Sequence, residues 1–399
     1  MSGSGLSASR LATMREVLTR HVARGDVPGL VALVARRGEV HAEAIGTTES
    51  GGGEPMRRDA IFRIASVSKL ITAAAAMILV EECRLRLDDP VDDLLPELAD
   101  RQVLTRVDAP LDDTVPARRA ITVRDLLTFL MGLGAVMVPP GTYPIQRAMD
   151  DAGLTPGADS PSVEPDEWMK RLGDLPLAYQ PGEKWLYHTG SDVLGVLMAR
   201  ATGRPLGEFL NERLLGPLGM RDTGFHVPAG HLGRLTAAYR PDPGTGALVL
   251  SDDPRQSKWA QPPAFQAGGG GLVSTADDLL AFGTMMLNRG RYGGEAVLSR
   301  PSVELMTTDQ LSEEQKAQNF VFFGGVSGWG LGVNVVIRRN DLSAVPGRFG
   351  WNGGTGTSFY VDPAEELIGI LLTQRAMTSP GLPAVLRDFW TCAYQAIED

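Results

Sequence analysis

The sequence predicts an α+β fold: one antiparallel sheet formed by both ends of the chain and flanked by helices, with a mostly helical lobe inserted. Three observations point there. Strand-like segments occur near residues 30–45 and return only after residue 329. Between about residues 88 and 271, short helical segments alternate with loops rich in Pro and Gly. A helical segment follows the last strands at 382–397. The expected division is therefore a sheet domain of residues 1–87 and 272–399, and a helical inserted domain of residues 88–271.

Residues 8–24 carry the apolar spacing of an amphipathic helix. Leu30–Ala35 and Val40–Ile45 flank Arg37-Gly38 and read as a β-hairpin. Leu70–Val80 is rich in Ala, Leu and Met and free of Gly and Pro, which makes it a buried helix. In the inserted region, Val123–Leu130, Ser191–Arg200 and Pro205–Leu210 are helical. Residues 134–165 show little periodicity and several prolines and glycines, so a long mobile loop is expected. Trp329–Ile337, Thr357–Val361 and Leu367–Thr373 are β-branched or aromatic-rich strands, the last two joined by a turn at Asp362–Glu366. No tandem repeat or low-complexity linker interrupts the chain.

The chain has 399 residues, 43% of them hydrophobic and 22% charged, the composition of a globular protein with a sizeable core. A net charge of −10 argues against nucleic acid or an anionic membrane as partner. No stretch reaches the roughly 18 apolar residues that span a bilayer. The first ten residues lack the basic-then-apolar pattern of a secretory leader. The two cysteines, Cys83 and Cys392, read as small buried apolar residues rather than a disulfide, and a cytoplasmic setting is expected. Five scattered histidines without ligand spacing give no metal site, and nothing implies a cofactor.

Ser66-Val-Ser-Lys69 opens the Leu70–Val80 helix. Residues three apart share a helix face, so a nucleophile and a base would be presented together beside unpaired backbone N–H groups. Such a four-residue pattern arises by chance about once in a chain of this length, so it needs companions. Two follow. Tyr187-His188-Thr189 stands just before a helix, and a phenol there can relay a proton. Trp351-Asn352-Gly353 lies in a segment with glycines at 350, 353, 354 and 356, which allows close backbone approach.

With these three motifs in this order, the chain resembles the serine β-lactamase/penicillin-binding-protein superfamily, and most of all the class C β-lactamase-like family VIII carboxylesterases and related acyltransferases on natural-product esters. Ile121–Leu127, Pro181-Gly182, Ala267–Thr275 and Val361–Pro363 are also similar to family stretches. The resemblance runs from about residue 10 onward and implies a β-lactamase/transpeptidase-like fold. Two departures stand out: Trp351 replaces the lysine of the third motif and Thr189 the asparagine of the second. Both remove polar anchors for a carboxylated amide, which argues against β-lactamase or DD-peptidase activity. The run Thr128–Gly132 departs from the family's usual pattern as well.

The resemblance implies acyl transfer on a small-molecule ester through a covalent acyl-enzyme. Ser66 would attack, Lys69 would take its proton with a pKa depressed by burial, and Tyr187 would bridge Lys69 and the leaving oxygen. The oxyanion would lie between the N–H groups of Ser66 and Gly354, or Thr355 if the third motif is aligned one residue later. Trp351, Asn352, Gly353, His188, Thr189 and Tyr143 are the candidate substrate-binding residues. Tyr143 and Trp168 would help wall an apolar pocket. Water as acceptor gives an esterase and a bound alcohol or amine an acyltransferase. A Ser–His–Asp hydrolase lacks its G-x-S-x-G elbow here. A non-catalytic binding module would not need Ser66, Lys69 and Tyr187 together.

Overall fold

The computed structural model describes residues 3, 5–157 and 159–399. Met1, Ser2, Ser4 and Ala158 lie outside the described residues, so part of the expectation for the first ten residues and one position of the 134–165 segment go with them. Helix α1 (Ala8–Ala23) is followed by β1 (Gly29–Arg36) and β2 (Glu39–Gly46), joined by Arg37 and Gly38, both at positive φ. That is the two-residue turn whose twist matches the strands it joins. Helix α2 (Ser68–Glu81) comes next, then α3 (Val123–Thr128), α4 (Pro144–Asp151), α5 (Pro165–Asp174), α6 (Thr189–Thr202) and α7 (Ala276–Leu287). The chain closes with strands β3 (Ser327–Trp329), β4 (Asn334–Val336), β5 (Phe349–Gly353), β6 (Thr357–Asp362) and β7 (Leu367–Thr373), and helix α8 (Ala384–Gln395).

The seven strands form one antiparallel sheet in the order β3-β4-β5-β6-β7-β1-β2. β1 from the N-terminal part thus pairs with β7 from the C-terminal part, Leu33 opposite Ile370. β1 is buried along its whole length because both faces of the sheet are covered. Val31, Leu33 and Ala35 point into the large core with α2, while Leu30, Ala32 and Val34 point into a second layer with Met14 and Leu18 of α1 and Phe389 and Trp390 of α8. β2 is one edge of the sheet, and its Glu39, His41 and Glu43 are the polar residues such an edge tolerates.

Three expectations change. Trp329–Ile337 is two strands, not one: Gly332 has φ +77°, where a β-carbon would collide with that of Ala73 in α2, and Gly330 N–H donates to Val333 O to close a turn. The 134–165 segment contains α4, entered through Pro144 and anchored by buried Ile145 and Met149, which the prolines and glycines around it mask in the sequence. Cys83 is exposed in the turn that ends α2, whereas Cys392 is buried, and both thiols are free.

Candidate active site

Ser66 is positioned by strain and by glycine. Ala65 holds φ +43°, an uncommon value for a residue with a β-carbon. A single 3-10 turn over Ala65–Val67 then leads into α2, so Ser66 stands one turn ahead of the α-helix rather than on its first residue. The third motif crosses directly behind it. A β-carbon on Gly353 would collide with the Ile64 carbonyl oxygen, so only glycine lets β5 pass this close. Thr357 Oγ1 donates to Ile64 O at 3.1 Å, and Thr355 Oγ1 donates to Arg63 O. These bonds fix the next residue, Gly354, at the wall of a cavity of about 550 Å³ that Ser66 also lines. Gly354 lines this cavity and Thr355 does not.

Lys69 is 1% exposed. Its Nζ lies 3.2 Å from Ser66 Oγ and 3.0 Å from His188 Nδ1, and it donates to Gly269 O. Burial pushes its pKa down to about 7, with the Asp192 carboxylate pulling the other way. Beyond Lys69, His188 Nε2 is 3.0 Å from Asp192 Oδ2, and Asp192 Oδ1 accepts from Gly269 N–H at 2.8 Å. Burial and the Lys69 charge hold the His188 pKa low, whereas the Asp192 pKa is lowered by His188 and Gly269 against its desolvation. A neutral His188 therefore carries its proton on Nε2, facing Asp192, and offers Nδ1 as an acceptor.

Tyr187 ends a loop and His188 turns the chain. With φ +83° and ψ −62°, and Thr189 N–H donating to Tyr187 O at 3.3 Å, His188 is the centre of a γ-turn of the rare, strained hand. Phe129, itself at φ +61°, packs edge-on to the Tyr187 ring, which gives the Thr128–Gly132 run a supporting place. The Tyr187 hydroxyl lies toward Ser66 and accepts from Trp351 Nε1 at 2.6 Å. Desolvation raises its pKa well above that of a free phenol. Lys69 Nζ lies 4.7 Å from the centre of the ring, and its hydrogen bonds among the described residues go elsewhere. The expected bridge from Lys69 to the phenol is thus replaced by a face-on cation contact.

The other expected binding residues separate. His188 and Asn352 line the cavity, but His188 has its ring nitrogens committed to Lys69 and Asp192. Asn352 Nδ2 donates to Tyr360 Oη at 3.1 Å. Trp351 lines it with its ring, its only donor being taken by Tyr187. Gly353 is packed behind the wall. Thr189 faces a second cavity of about 230 Å³, together with Asp192 and Trp168, because α6 starts on the far side of the γ-turn. Tyr143 precedes α4 and lines neither cavity. Two participants escaped the sequence reading, Asp192 and Gly269. The signal was present: Asp192 is four residues after His188, and Gly269 sits in the glycine run that Thr72 Oγ1 ties to α2 through Gly268 O at 2.8 Å.

Among the described residues no cluster of His, Cys, Asp and Glu is arranged to hold a metal, and no helix is long and apolar enough to cross a membrane.

The chain is similar to known proteins over most of its length. A Mycobacterium tuberculosis protein, Rv1367c, is 40% identical over 91% of this chain and 88% of its own length. Esterase EstB of Burkholderia gladioli is 32% identical over 96% of this chain and 95% of its own. The solved structure of EstCE1, a hydrolase with promiscuous acyltransferase activity, superposes with a TM-score of 0.77 at 26% identity, covering 98% of this chain and 99% of that one. The family model for beta-lactamase matches residues 14–385, and this chain belongs to the beta-lactamase family.

Proposed function

We propose that the protein is a serine hydrolase of carboxylic esters that works through an acyl-Ser66 intermediate. The observation that carries this reading is the set of three polar contacts at Lys69 Nζ, to Ser66 Oγ, His188 Nδ1 and Gly269 O. A neutral amine has two N–H bonds and one lone pair. The Gly269 carbonyl and His188 Nδ1 accept both hydrogens, which leaves the lone pair for the Ser66 hydroxyl 3.2 Å away. With a pKa near 7, a large share of Lys69 is in that form at neutral pH. Tyr187, its pKa raised, rests protonated and so enters acylation as the acid.

In acylation, Ser66 Oγ bonds to the ester carbon while its proton passes to Lys69. The oxyanion takes the N–H groups of Ser66 and Gly354. As the C–O bond breaks, Tyr187 gives its proton to the departing alcohol, and the phenolate is held by the Trp351 N–H and the Lys69 ammonium at its ring face. In deacylation the acceptor gives its proton to Tyr187 as it attacks, and Lys69 returns the other to Ser66 Oγ. Both protons and the catalyst are restored.

The likeness to an esterase, EstB, and to a hydrolase with acyltransferase activity, EstCE1, supports ester chemistry. Acyl transfer to an alcohol or amine is the second reading, favoured by the apolar wall of Met137, Phe322, Trp351 and Met377, which disfavours water as acceptor. On this reading the site lies between a sheet unit of residues 1–87 and 272–399 and a helical unit of residues 88–271, in a cytoplasmic protein. Ser66→Ala tests the reading. It should lose p-nitrophenyl butyrate turnover and the acyl adduct seen by intact mass, with the circular dichroism of the parent. Activity above a tenth of the parent refutes it. Products formed with water, small alcohols and amines as competing acceptors separate hydrolase from transferase.

A further inference from the structure

Arg348 immediately precedes β5, and its side chain turns to the face of the sheet covered by α8. It is 5% exposed. The guanidinium carbon lies 4.1 Å from the centre of the Tyr360 ring and 3.9 Å from that of Trp390. Nη1 donates to Ser343 O at 2.6 Å, and Nε is buried with no hydrogen-bond partner. No carboxylate oxygen of the described residues lies within 4.0 Å of it to form an ion pair. The two carboxylates whose field it feels are Asp362 and Asp341. Asp362 is occupied by Tyr394 Oη and by the backbone of Ala364 and Glu365, and Asp341 is exposed. Desolvation accordingly lowers the Arg348 pKa. A buried cation without a counter-ion is costly, and an aromatic cage offsets only part of that.

Space adjoins it. Arg348 lines a cavity of about 140 Å³, to which Asp341 and Arg387 also contribute, giving two guanidinium groups against one carboxylate. Ser327, Asn334, Tyr360 and Leu382 line both this cavity and the one that holds Ser66. The small cavity thus adjoins the active-site cavity across these four residues, with a buried, half-partnered guanidinium in its wall.

We propose that the Arg348 cavity binds a carboxylate carried by the substrate at a distance from the scissile ester, so that the preferred substrates are esters with a second, free acid group. This rests on the ester reading above and narrows its substrate class. The carboxylate would supply the counter-ion that the guanidinium lacks, and the ester would reach Ser66 along the shared wall.

The test compares matched substrates. Mono-p-nitrophenyl esters of adipic, pimelic and suberic acid are each set against the neutral alkanoate of the same chain length. The butyrate of 4-(hydroxymethyl)benzoic acid is set against benzyl butyrate, which covers an acid on the alcohol side. In at least one pair the acid should be favoured in kcat/KM by about tenfold or more, as charge-assisted hydrogen bonds deliver. Arg348→Gln should abolish that preference and Arg348→Lys should keep part of it. Should Arg348→Gln fail to fold, the exposed Asp341→Asn serves instead and should raise the preference. Neutral esters hydrolysed at least as well as their acid partners in every pair, or a preference that both Arg348→Gln and Asp341→Asn leave unchanged, would overturn the proposal while leaving the ester reading intact. If no ester of either kind acylates Ser66, the ester reading falls instead.

Discussion

His188 Nδ1 lies 3.0 Å from Lys69 Nζ, and the same ring reaches Asp192 through Nε2 at 3.0 Å, so the base of the site is the first member of a buried three-residue chain. The sign of its influence follows from the charges. Asp192 raises the Lys69 pKa, against the larger lowering by burial. Catalysis needs the neutral amine, so kcat/KM should rise with pH through about 7. Asp192→Asn removes the negative charge, and the rising limb should move to lower pH. A pH–rate profile with an unmoved limb would show that another group controls it.

Tyr187→Phe removes the acid while keeping the ring that packs on Phe129. The expected result is a fall in kcat of about 10²–10⁴-fold with KM little changed, since the proton is needed only as the bond breaks. Steady-state kinetics with p-nitrophenyl butyrate decide it, and an unchanged kcat would take Tyr187 out of the mechanism.

Trp351→Phe isolates one hydrogen bond. The ring that packs on Trp329 at 5.0 Å is largely kept, and the N–H that Tyr187 accepts is lost. A drop in kcat of about tenfold is expected, with the melting temperature close to that of the parent. An ester kcat equal to the parent's would mean that the phenol needs no support from Trp351.

Adjacent glycines should behave oppositely. At Gly353 a β-carbon collides with Ile64 O and Thr357 Oγ1, whereas at Gly354 it meets nothing within 4 Å. Gly353→Ala should therefore displace the Gly354 N–H and lower kcat by roughly 10²-fold, the loss expected when one oxyanion donor goes. Gly354→Ala should stay within a few-fold of the parent. Equal losses in the two variants would argue against this placement of the donor.

Much of this was readable from spacing. The interval between Ser66 and Lys69, the place of Tyr187 before a helix and the strands near both ends all depend on local pattern. What the sequence hid depends on chain reversals. The γ-turn at His188 sends Thr189 to a different cavity from Tyr187, and nothing in the composition marks a histidine as the pivot. Tyr143 looked like a pocket residue because the helix it precedes was obscured by flanking prolines. Trp329–Ile337 had the makeup of one strand, and only contact with Ala73 of α2 shows why Gly332 must break it. Trp351 offers an apolar face and one side-chain donor in place of lysine, and the sequence does not show that the donor's partner is Tyr187, 164 positions away.

Leu33 and Ile370 pair at the middle of the sheet, so the neighbour that β1 needs is made some three hundred residues after it. During synthesis the nucleophile emerges long before the glycine strand that completes its oxyanion site. Pairings this distant slow folding and leave β1 with an open edge in the meantime. A ribosome-bound chain therefore carries Ser66 before the strand that supplies Gly354 has been made.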